Sequence, residues 1–218
     1  SDIGDIRDLD QLKKSMSSFD PDIIFHMAAQ PLVRSSYEDP VETFQTNILG
    51  TVNILDSIRK SNSVSSCVVM TSDKCYQNLD PNCLHTETDP LGGDDPYSAS
   101  KGAAEIITNS FRNSFFNTEK NHDKNTGIAS VRAGNVIGGG DLKKDRIIPD
   151  VMRSISKNRP LIIRNPNATR PWQHVLEPLS GYLRLAIELS SEKSPHGEAF
   201  NFGPSDTNNH SVKDLVLE

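Results

Sequence analysis

The sequence has no apolar run near the 18 or so residues that a membrane-spanning helix needs, which argues against an integral membrane protein. Cysteine is scarce: Cys67, Cys75 and Cys83 are odd in number and lack close metal-type spacing. They read as reduced thiols of a cytoplasmic protein, and no zinc or other metal site is expected. Positive charge is not in excess, with 23 Lys and Arg against 29 Asp and Glu and a net charge of −6, so a general nucleic-acid binder is disfavoured. Hydrophobic content is modest at 35%, with a mean hydropathy of −0.49, yet 218 residues suffice for one or two domains with a substantial core.

The charge is unevenly placed. Residues 131–184 hold ten Lys and Arg and four Asp and Glu, and the remaining residues hold 13 and 25. A basic segment in an acidic protein suits a small anionic ligand such as a phosphate, or is a solvated face; charge alone leaves both open.

Apolar periodicity then orders the chain. Residues 8–18 read as a helix carrying Leu9, Leu12 and Met16 on one side, and Asp22 to His26 as a short buried strand. Val41, Phe44, Ile48, Val52 and Leu55 recur at helical spacing and predict one helix over 41–60. A strand follows at 67–71, a helix at 97–116 with Ala103, Ile107, Phe111 and Phe115 in one stripe, and a strand at 126–132. Residues 118–126 read as a surface connection. Strands alternating with long helices indicate an α/β fold with a doubly wound parallel sheet. Beyond Arg132, Gly138-Gly139-Gly140-Asp141 reads as a loop. Helices are expected at 147–158 and 175–189, and short strands at 161–163 and 199–202, the latter returning to the sheet. Ser211-Val212-Lys213-Asp214 has the form of a capping box for a last helix. The division expected is 1–135 and 136–218.

Two short segments carry chemistry. Thr71-Ser72-Asp73-Lys74 ends the apolar run Cys67-Val68-Val69-Met70, and Tyr97-Ser98-Ala99-Ser100-Lys101 opens a helix after Asp94-Asp95-Pro96. Residues four apart share a helix face, so Lys101 lies near the Tyr97 phenol. A nearby cation favours phenolate and brings the Tyr toward service as a general base. A lone Tyr-x-x-x-Lys is also common on plain solvated helix faces. In open parallel sheets ligands bind beyond the carboxyl ends of the strands. His26-Met27-Ala28-Ala29-Gln30, Ser72-Asp73-Lys74 and Arg132-Ala133-Gly134-Asn135 all fall there, and the small residues Ala28, Ala29 and Gly134 leave room for a flat ligand. His26 reads as a structural strand-end residue rather than a catalyst, and Trp172 as packing.

These residues resemble the extended short-chain dehydrogenases/reductases, and within them the nucleotide-sugar 4,6-dehydratases. The segments that carry the resemblance are HMAAQPLVRSSYEDPVETFQTNILGTVN, VVMTSDKCY, DPLGGDDPYSASKGAAE, VRAGNVIGGGD, DRIIPD, RNPNATRPWQHVLEPLSGYL and FNFGP, which span most of residues 22–204. Ser72-Asp73-Lys74 is similar to the CDP-glucose type, where dTDP-glucose relatives carry Thr-Asp-Glu. The resemblance implies a Rossmann-like sheet and NAD as cofactor. It also implies a fragment, because a strand and a glycine-rich G-x-x-G-x-x-G turn open the family fold and nothing like them precedes Asp5; Gly138-Gly139-Gly140 is no replacement.

The resemblance further implies roles. Tyr97, helped by Lys101, would remove the 4-hydroxyl proton of the sugar, Ser72 would hydrogen-bond the same oxygen, and Asp73 would protonate the departing 6-hydroxyl. Lys74 would be either the base at C5 or a stabiliser of the enolate. The cofactor would be held by Asp5, Ile6, Met27, Ala28, Ala29, Gln30, Asn47, Thr71, Tyr97 and Lys101. Arg170 would lie near the substrate pyrophosphate, a task suited to guanidinium, with Asn135, Arg146, Arg164 and Asn201 as further substrate contacts. The substrate would be CDP-glucose, and the helices at 42–60 and 97–116 would form a homodimer interface. Two other readings stay open: a dTDP-glucose dehydratase or nucleotide-sugar epimerase of the same fold, and a catalytically silent piece that only binds nucleotide sugar or a partner subunit.

Overall fold

The computed structural model describes residues 1–77, 84–116, 126–191, 198–204 and 210–217. Cys83, and nearly all of the connection expected at 118–126, lie outside the described residues. In chain order the elements are α1 (Leu9–Phe19), β1 (Ile23–His26), α2 (Val33–Glu38), α3 (Pro40–Phe44), α4 (Gly50–Lys60), β2 (Ser66–Met70), α5 (Pro96–Phe115), β3 (Gly127–Ala133), β4 (Val136–Ile137), α6 (Ile147–Ser156), β5 (Thr169–Arg170), β6 (Gln173–His174), α7 (Leu176–Leu189), β7 (Ala199–Phe202), β8 (His210–Ser211) and α8 (Val212–Leu217). The chain divides into two compact units, Ser1–Arg132 with Tyr182–Asn201, and Ala133–Gly181 with Phe202–Glu218. No helix among the described residues is long and apolar enough to cross a membrane.

The first unit is built on a sheet of order β1-β2-β3-β7. β1 and β2 are parallel with Phe25 opposite Val68, and β2 and β3 are parallel with Val68 opposite Ala129. β2 and β3 are interior strands, buried along almost their whole length; β2 carries the apolar run Cys67–Met70, and β3 buries Ser130 and Arg132 among its apolar residues. Ile54, Leu55 and Ile58 of α4, Cys67 and Val69 of β2, Ile128 of β3 and Phe116 form one core cluster, against which Leu12 and Met16 of α1 pack. Asp8 caps α1 by accepting from the Gln11 N–H at 2.9 Å.

Two expectations are refined here and one is corrected. The helix over 41–60 is two α segments joined by a π turn at Gln45–Leu49. The extra residue in that turn rotates the face, so Thr43, Asn47 and Thr51 point inward while Val41 and Phe44 are 63% and 37% exposed. Of the stripe Ala103, Ile107, Phe111 and Phe115, Ile107 and Phe111 pack half-buried against the core cluster, while the helix fully buries Ser98, Ser100, Lys101, Glu105, Thr108 and Arg112. Leu161–Ile163 forms no strand; Ile162 is 87% exposed and the run finds no partner strand among the described residues.

The second unit holds α6, α8 and short two-stranded pairings, β4 parallel to β6 and β5 antiparallel to β8. Ser211 and Asp214 cap α8 reciprocally: the Ser211 N–H donates to Asp214 Oδ2 at 3.0 Å and the Asp214 N–H to Ser211 Oγ at 3.1 Å. A cleft of about 720 Å³ lies among Ile137, the Gly138–Gly140 turn, Pro149 and Met152 of α6, and His174.

Candidate active site

Two sheet strands deliver their following turns to the same end of the first unit. After β1, the turn from Met27 to Gln30 is held by Asn47: the Gln30 N–H donates to Asn47 Oδ1 at 2.8 Å and Asn47 Nδ2 donates to the Gln30 carbonyl at 3.1 Å. The same Nδ2 donates to Ser100 Oγ at 2.8 Å, which ties the turn to α5. The π turn is what aims Asn47 inward to make these bonds. Met27 and Ala28 are left exposed beyond the strand.

After β2, Ser72 caps a short 3₁₀ turn, Asp73–Cys75. Its hydroxyl accepts from the Lys74 N–H at 3.2 Å and donates to Asp73 Oδ1 at 3.0 Å. Ser72 is buried, Asp73 half-buried and Lys74 exposed, so a hydroxyl, a carboxylate and an ammonium are graded from core to solvent within three residues. The turn packs directly on α5. Gly102 permits this, because a Cβ there would lie 2.8 Å from the Gly92 carbonyl oxygen and 3.3 Å from that of Cys75.

Helix α5 starts on a side-chain cap, Asp95 accepting from the Ser98 N–H at 2.9 Å, with Pro96 in its first turn. Tyr97 sits in that turn, and its N–H donates to Ser36 Oγ at 3.2 Å. Lys101, one turn on, is 7% exposed and its Nζ donates to the Met70 carbonyl at 3.2 Å. Burial pulls the Lys101 pKa down to about 8, opposed by the nearby Glu105 carboxylate. His26 is buried against Thr51 Oγ1 at 3.0 Å, and burial, with Lys101 adding to it, pulls its pKa down to about 4.

Further residues complete this face. Glu105 and Arg132 form a buried ion pair with Nη2 to Oε2 at 2.8 Å and Nε to Oε1 at 3.0 Å. Thr71 donates to the same carboxylate, and Arg132 Nη1 donates to Tyr76 Oη at 2.7 Å. Glu105 and Tyr76 escaped the sequence reading, although Glu105 repeats the Tyr97–Lys101 spacing and so was visible as a third residue on that face.

The remaining predicted residues are placed as follows. Asp5 is chelated by Arg7, whose Nη2 donates to Oδ2 at 2.6 Å, and that bond holds the carboxyl pKa down at about 2. Ile6 is fixed through its carbonyl, which accepts from Asn53 Nδ2 at 3.0 Å. Ala29 is half-buried. Asn201 uses both ends of its amide inside the first unit, accepting from Tyr76 Oη at 2.6 Å and donating to the His85 carbonyl at 3.1 Å. In the second unit, the Asn135 carbonyl accepts from the Gln173 N–H at 3.0 Å. Arg146 pairs with Asp141 at 2.9 Å and Arg164 with Asp145 at 3.1 Å. Arg170 is exposed and donates to the Thr169 carbonyl at 3.0 Å. The structure thus gathers Ser72, Asp73, Lys74, Tyr97 and Lys101 in one unit, with Asn135 and the three arginines in the other.

A family model described as the NAD dependent epimerase/dehydratase family matches residues 2–203. The chain belongs to this epimerase/dehydratase family. Over 216 residues it is 53% identical to a CDP-glucose 4,6-dehydratase of Salmonella typhimurium, covering 99% of this chain and 60% of that protein. It is 25% identical to a dTDP-glucose 4,6-dehydratase of Xanthomonas campestris, covering 92% of this chain and 55% of that protein. The chain therefore spans 60% or less of the length of these two family members. Among solved structures, the dTDP-glucose 4,6-dehydratase DesIV of Streptomyces venezuelae, with NAD bound, superposes with a TM-score of 0.79 at 23% identity, covering 98% of this chain and 60% of that one. UDP-glucose 4-epimerase of Thermus thermophilus, also with NAD, superposes with a TM-score of 0.80 at 22% identity, covering 98% and 63%. At such identities the likeness establishes the Rossmann-like α/β fold.

Proposed function

We propose that the protein converts CDP-glucose to CDP-4-keto-6-deoxyglucose, a hydro-lyase reaction run with NAD. The observation that carries the reading is the Ser72-Asp73-Lys74 turn set against the helix that bears Tyr97 and Lys101. It is supported by the 53% identity to the S. typhimurium CDP-glucose 4,6-dehydratase across 99% of this chain.

The residues present fit NAD. The turn after β1 offers the small surface of Ala28 and Ala29 with its backbone pinned by Asn47, which suits a flat ring and a ribose. Lys101 has three N–H donors and spends one on the Met70 carbonyl, which leaves donors for ribose hydroxyls. Met27, Gln30, Thr71 and Tyr97 line the same strand ends, and Asp5 and Ile6 are the residues offered to the adenosine side. NAD, when bound there, would supply a reversible acceptor and donor of hydride for the sugar carbons.

The chain's own residues handle the protons. Tyr97 takes the 4-hydroxyl proton, with the Lys101 ammonium favouring the phenolate. Ser72 turns its single hydroxyl hydrogen from Asp73 to the same sugar oxygen and donates a hydrogen bond to it. A ketone at C4 acidifies the C5 hydrogen, so water can leave across C5 and C6. Asp73, already hydrogen-bonded to Ser72, gives its proton to the departing 6-hydroxyl. Lys74, next in the turn, takes the C5 proton and returns it to C5 when hydride reaches C6. Arg170 and Asn135 are the groups offered to the substrate pyrophosphate and sugar in the second unit, with Arg146 and Arg164 in support. Asn201 acts by bracing Tyr76.

We also propose a homodimer formed through the helices at 42–60 and 97–116. Phe44 is 37% and Ile106 59% exposed, and α3 packs on α5, so the two helices present one apolar surface.

Deuterium at C4 of CDP-glucose tests the reaction. The proposal predicts product carrying that deuterium on C6. Deuterium that stays on C4 in an epimerised sugar would support the epimerase reading instead.

A further inference from the structure

The deepest charged group in the first unit has no part in the proton steps above. Glu105 is 3% and Arg132 4% exposed, and both are fully engaged. The Glu105 carboxylate accepts from Arg132 Nε at 3.0 Å and Nη2 at 2.8 Å, from Ser130 Oγ at 2.7 Å and from the Thr71 hydroxyl. The remaining nitrogen of Arg132, Nη1, donates to Tyr76 Oη at 2.7 Å and to the Glu87 carbonyl at 3.0 Å, and its guanidinium stacks 4.9 Å from the centre of the Tyr76 ring. Thr71 is the residue before Ser72-Asp73-Lys74, and Tyr76 follows Cys75 at the far end of the same turn. One ion pair therefore grips both flanks of the turn. Glu105 is also one helical turn beyond Lys101, which is one turn beyond Tyr97, so the three share one face of α5.

We propose that Glu105 and Arg132 are positioning residues that clamp both ends of the Ser72–Lys74 turn onto helix α5 and hold Lys101 as an ammonium. The inference rests on the dehydratase reading for its purpose, and on the geometry alone for its existence. The turn carries the acid and the hydroxyl, and the helix carries the base and its cation. The Glu105–Arg132 pair bonds to both flanks of that turn from the helix and from β3. A buried pair that served stability alone could be built anywhere in the core; this one ends on the two residues that bracket the turn. The charge argument follows from the neighbours of Lys101. The titratable groups facing it are Tyr97 and Glu105 on its own helix, Cys75 from the turn and His26 from β1, with Arg132 facing Glu105 from β3. Glu105 is the carboxylate among them, and its bidentate bond to Arg132 keeps it ionised.

Two variants test the clamp. In protein labelled at lysine Cε, with the Lys101 signal assigned through Lys101→Arg, the titration midpoint of Lys101 is expected near about 8 in the wild type. It is expected to fall by about one unit or more in Glu105→Gln, because an anion one turn away is removed, and to stay near wild type in Glu105→Asp. An unchanged midpoint in Glu105→Gln would overturn the proposal. Tyr76→Phe removes one hydroxyl and keeps the ion pair, so it decides the matter even where Glu105→Gln does not fold. Backbone hydrogen exchange over residues 71–77 is expected to rise about tenfold in Tyr76→Phe while β2 and β3 keep their protection; unchanged exchange at 71–77 would equally overturn it. Neither readout needs turnover, so a protein that dehydrates no nucleotide sugar would sink the functional reading and leave these outcomes standing. With turnover, Tyr76→Phe is expected to lower kcat about tenfold with KM near wild type, and a raised KM at unchanged kcat would contradict a positioning role.

Discussion

The Asn47 side chain is hydrogen-bonded to both polar groups of one residue, accepting from the Gln30 N–H at 2.8 Å and donating to the Gln30 carbonyl at 3.1 Å. A single amide thus fixes the turn after β1, and through Ser100 it fixes that turn to α5. Asn47→Ala leaves these buried groups unpaired, which costs about 1–3 kcal/mol in stability. The same substitution is expected to weaken NAD binding about tenfold, since the turn beside the proposed site is no longer held. Urea unfolding and calorimetric titration with NAD read the two effects. Unchanged NAD affinity in a destabilised variant would separate this clamp from the site.

Gly102 is where the Ser72–Lys74 turn and the helix touch. Alanine in a helix interior is favoured over glycine by about 1 kcal/mol, so Gly102→Ala would stabilise an unencumbered helix. Here its Cβ would lie 2.8 Å from the Gly92 carbonyl oxygen. The clash is expected to win, with a net loss of about 1–3 kcal/mol and a fall in kcat of about 10-fold to 100-fold from displacement of the turn. A variant more stable than wild type with full activity would show that the contact is not required.

His26 makes stability sensitive to acid. Its folded pKa is about 4 because burial disfavours the charged ring, against an ordinary 6.5. Between those values the unfolded chain binds more protons than the folded one, so stability rises with pH across the window and is lost as pH falls from about 6.5 toward about 4. The difference in unfolding free energy between wild type and His26→Gln, which keeps a hydrogen-bonding group facing Thr51, is expected to slope across that window and to be flat above it. A flat difference throughout would assign the acid sensitivity elsewhere.

Phe44 tests the proposed homodimer. A glutamate at an apolar interface cannot be buried unpaired without a large cost, so Phe44→Glu is expected to give a monomer with an unchanged thermal midpoint for the subunit. Light scattering on a sizing column measures this; a dimer that persists in Phe44→Glu places the interface on another surface.

Several elements were legible because local rules and tertiary demands agree. The capping box at Ser211 and Asp214, the buried runs of β2 and β3 and the Asp95–Pro96 start of α5 all appear where their residue types predict. The helix faces were legible only in part. Periodicity placed Ala103, Ile107, Phe111 and Phe115 on one stripe, of which Ile107 and Phe111 pack on the core, but it gave no sign that α5 also turns Lys101, Glu105 and Arg112 inward, where they join the buried polar network. The π turn at Gln45–Leu49 was not legible either: it changes the phase of the helix midway and accompanies the bonds Asn47 makes to residues 17 and 53 positions away. Leu161–Ile163 has strand composition but no partner strand among the described residues, which composition cannot reveal. Of the candidate site, Ser72, Asp73, Lys74, Tyr97 and Lys101 were legible through their motif. Tyr76 was not, and Glu105 was visible only as a third residue on the α5 face, because the bonds both make are ones that only the fold brings about.

The most direct test of the account is mass analysis of CDP-glucose and dTDP-glucose, each incubated with the protein and NAD. Loss of one water from CDP-glucose, with dTDP-glucose unchanged, is the predicted result. Loss from dTDP-glucose in place of CDP-glucose, or recovery of both sugars intact from protein that binds NAD, would contradict it.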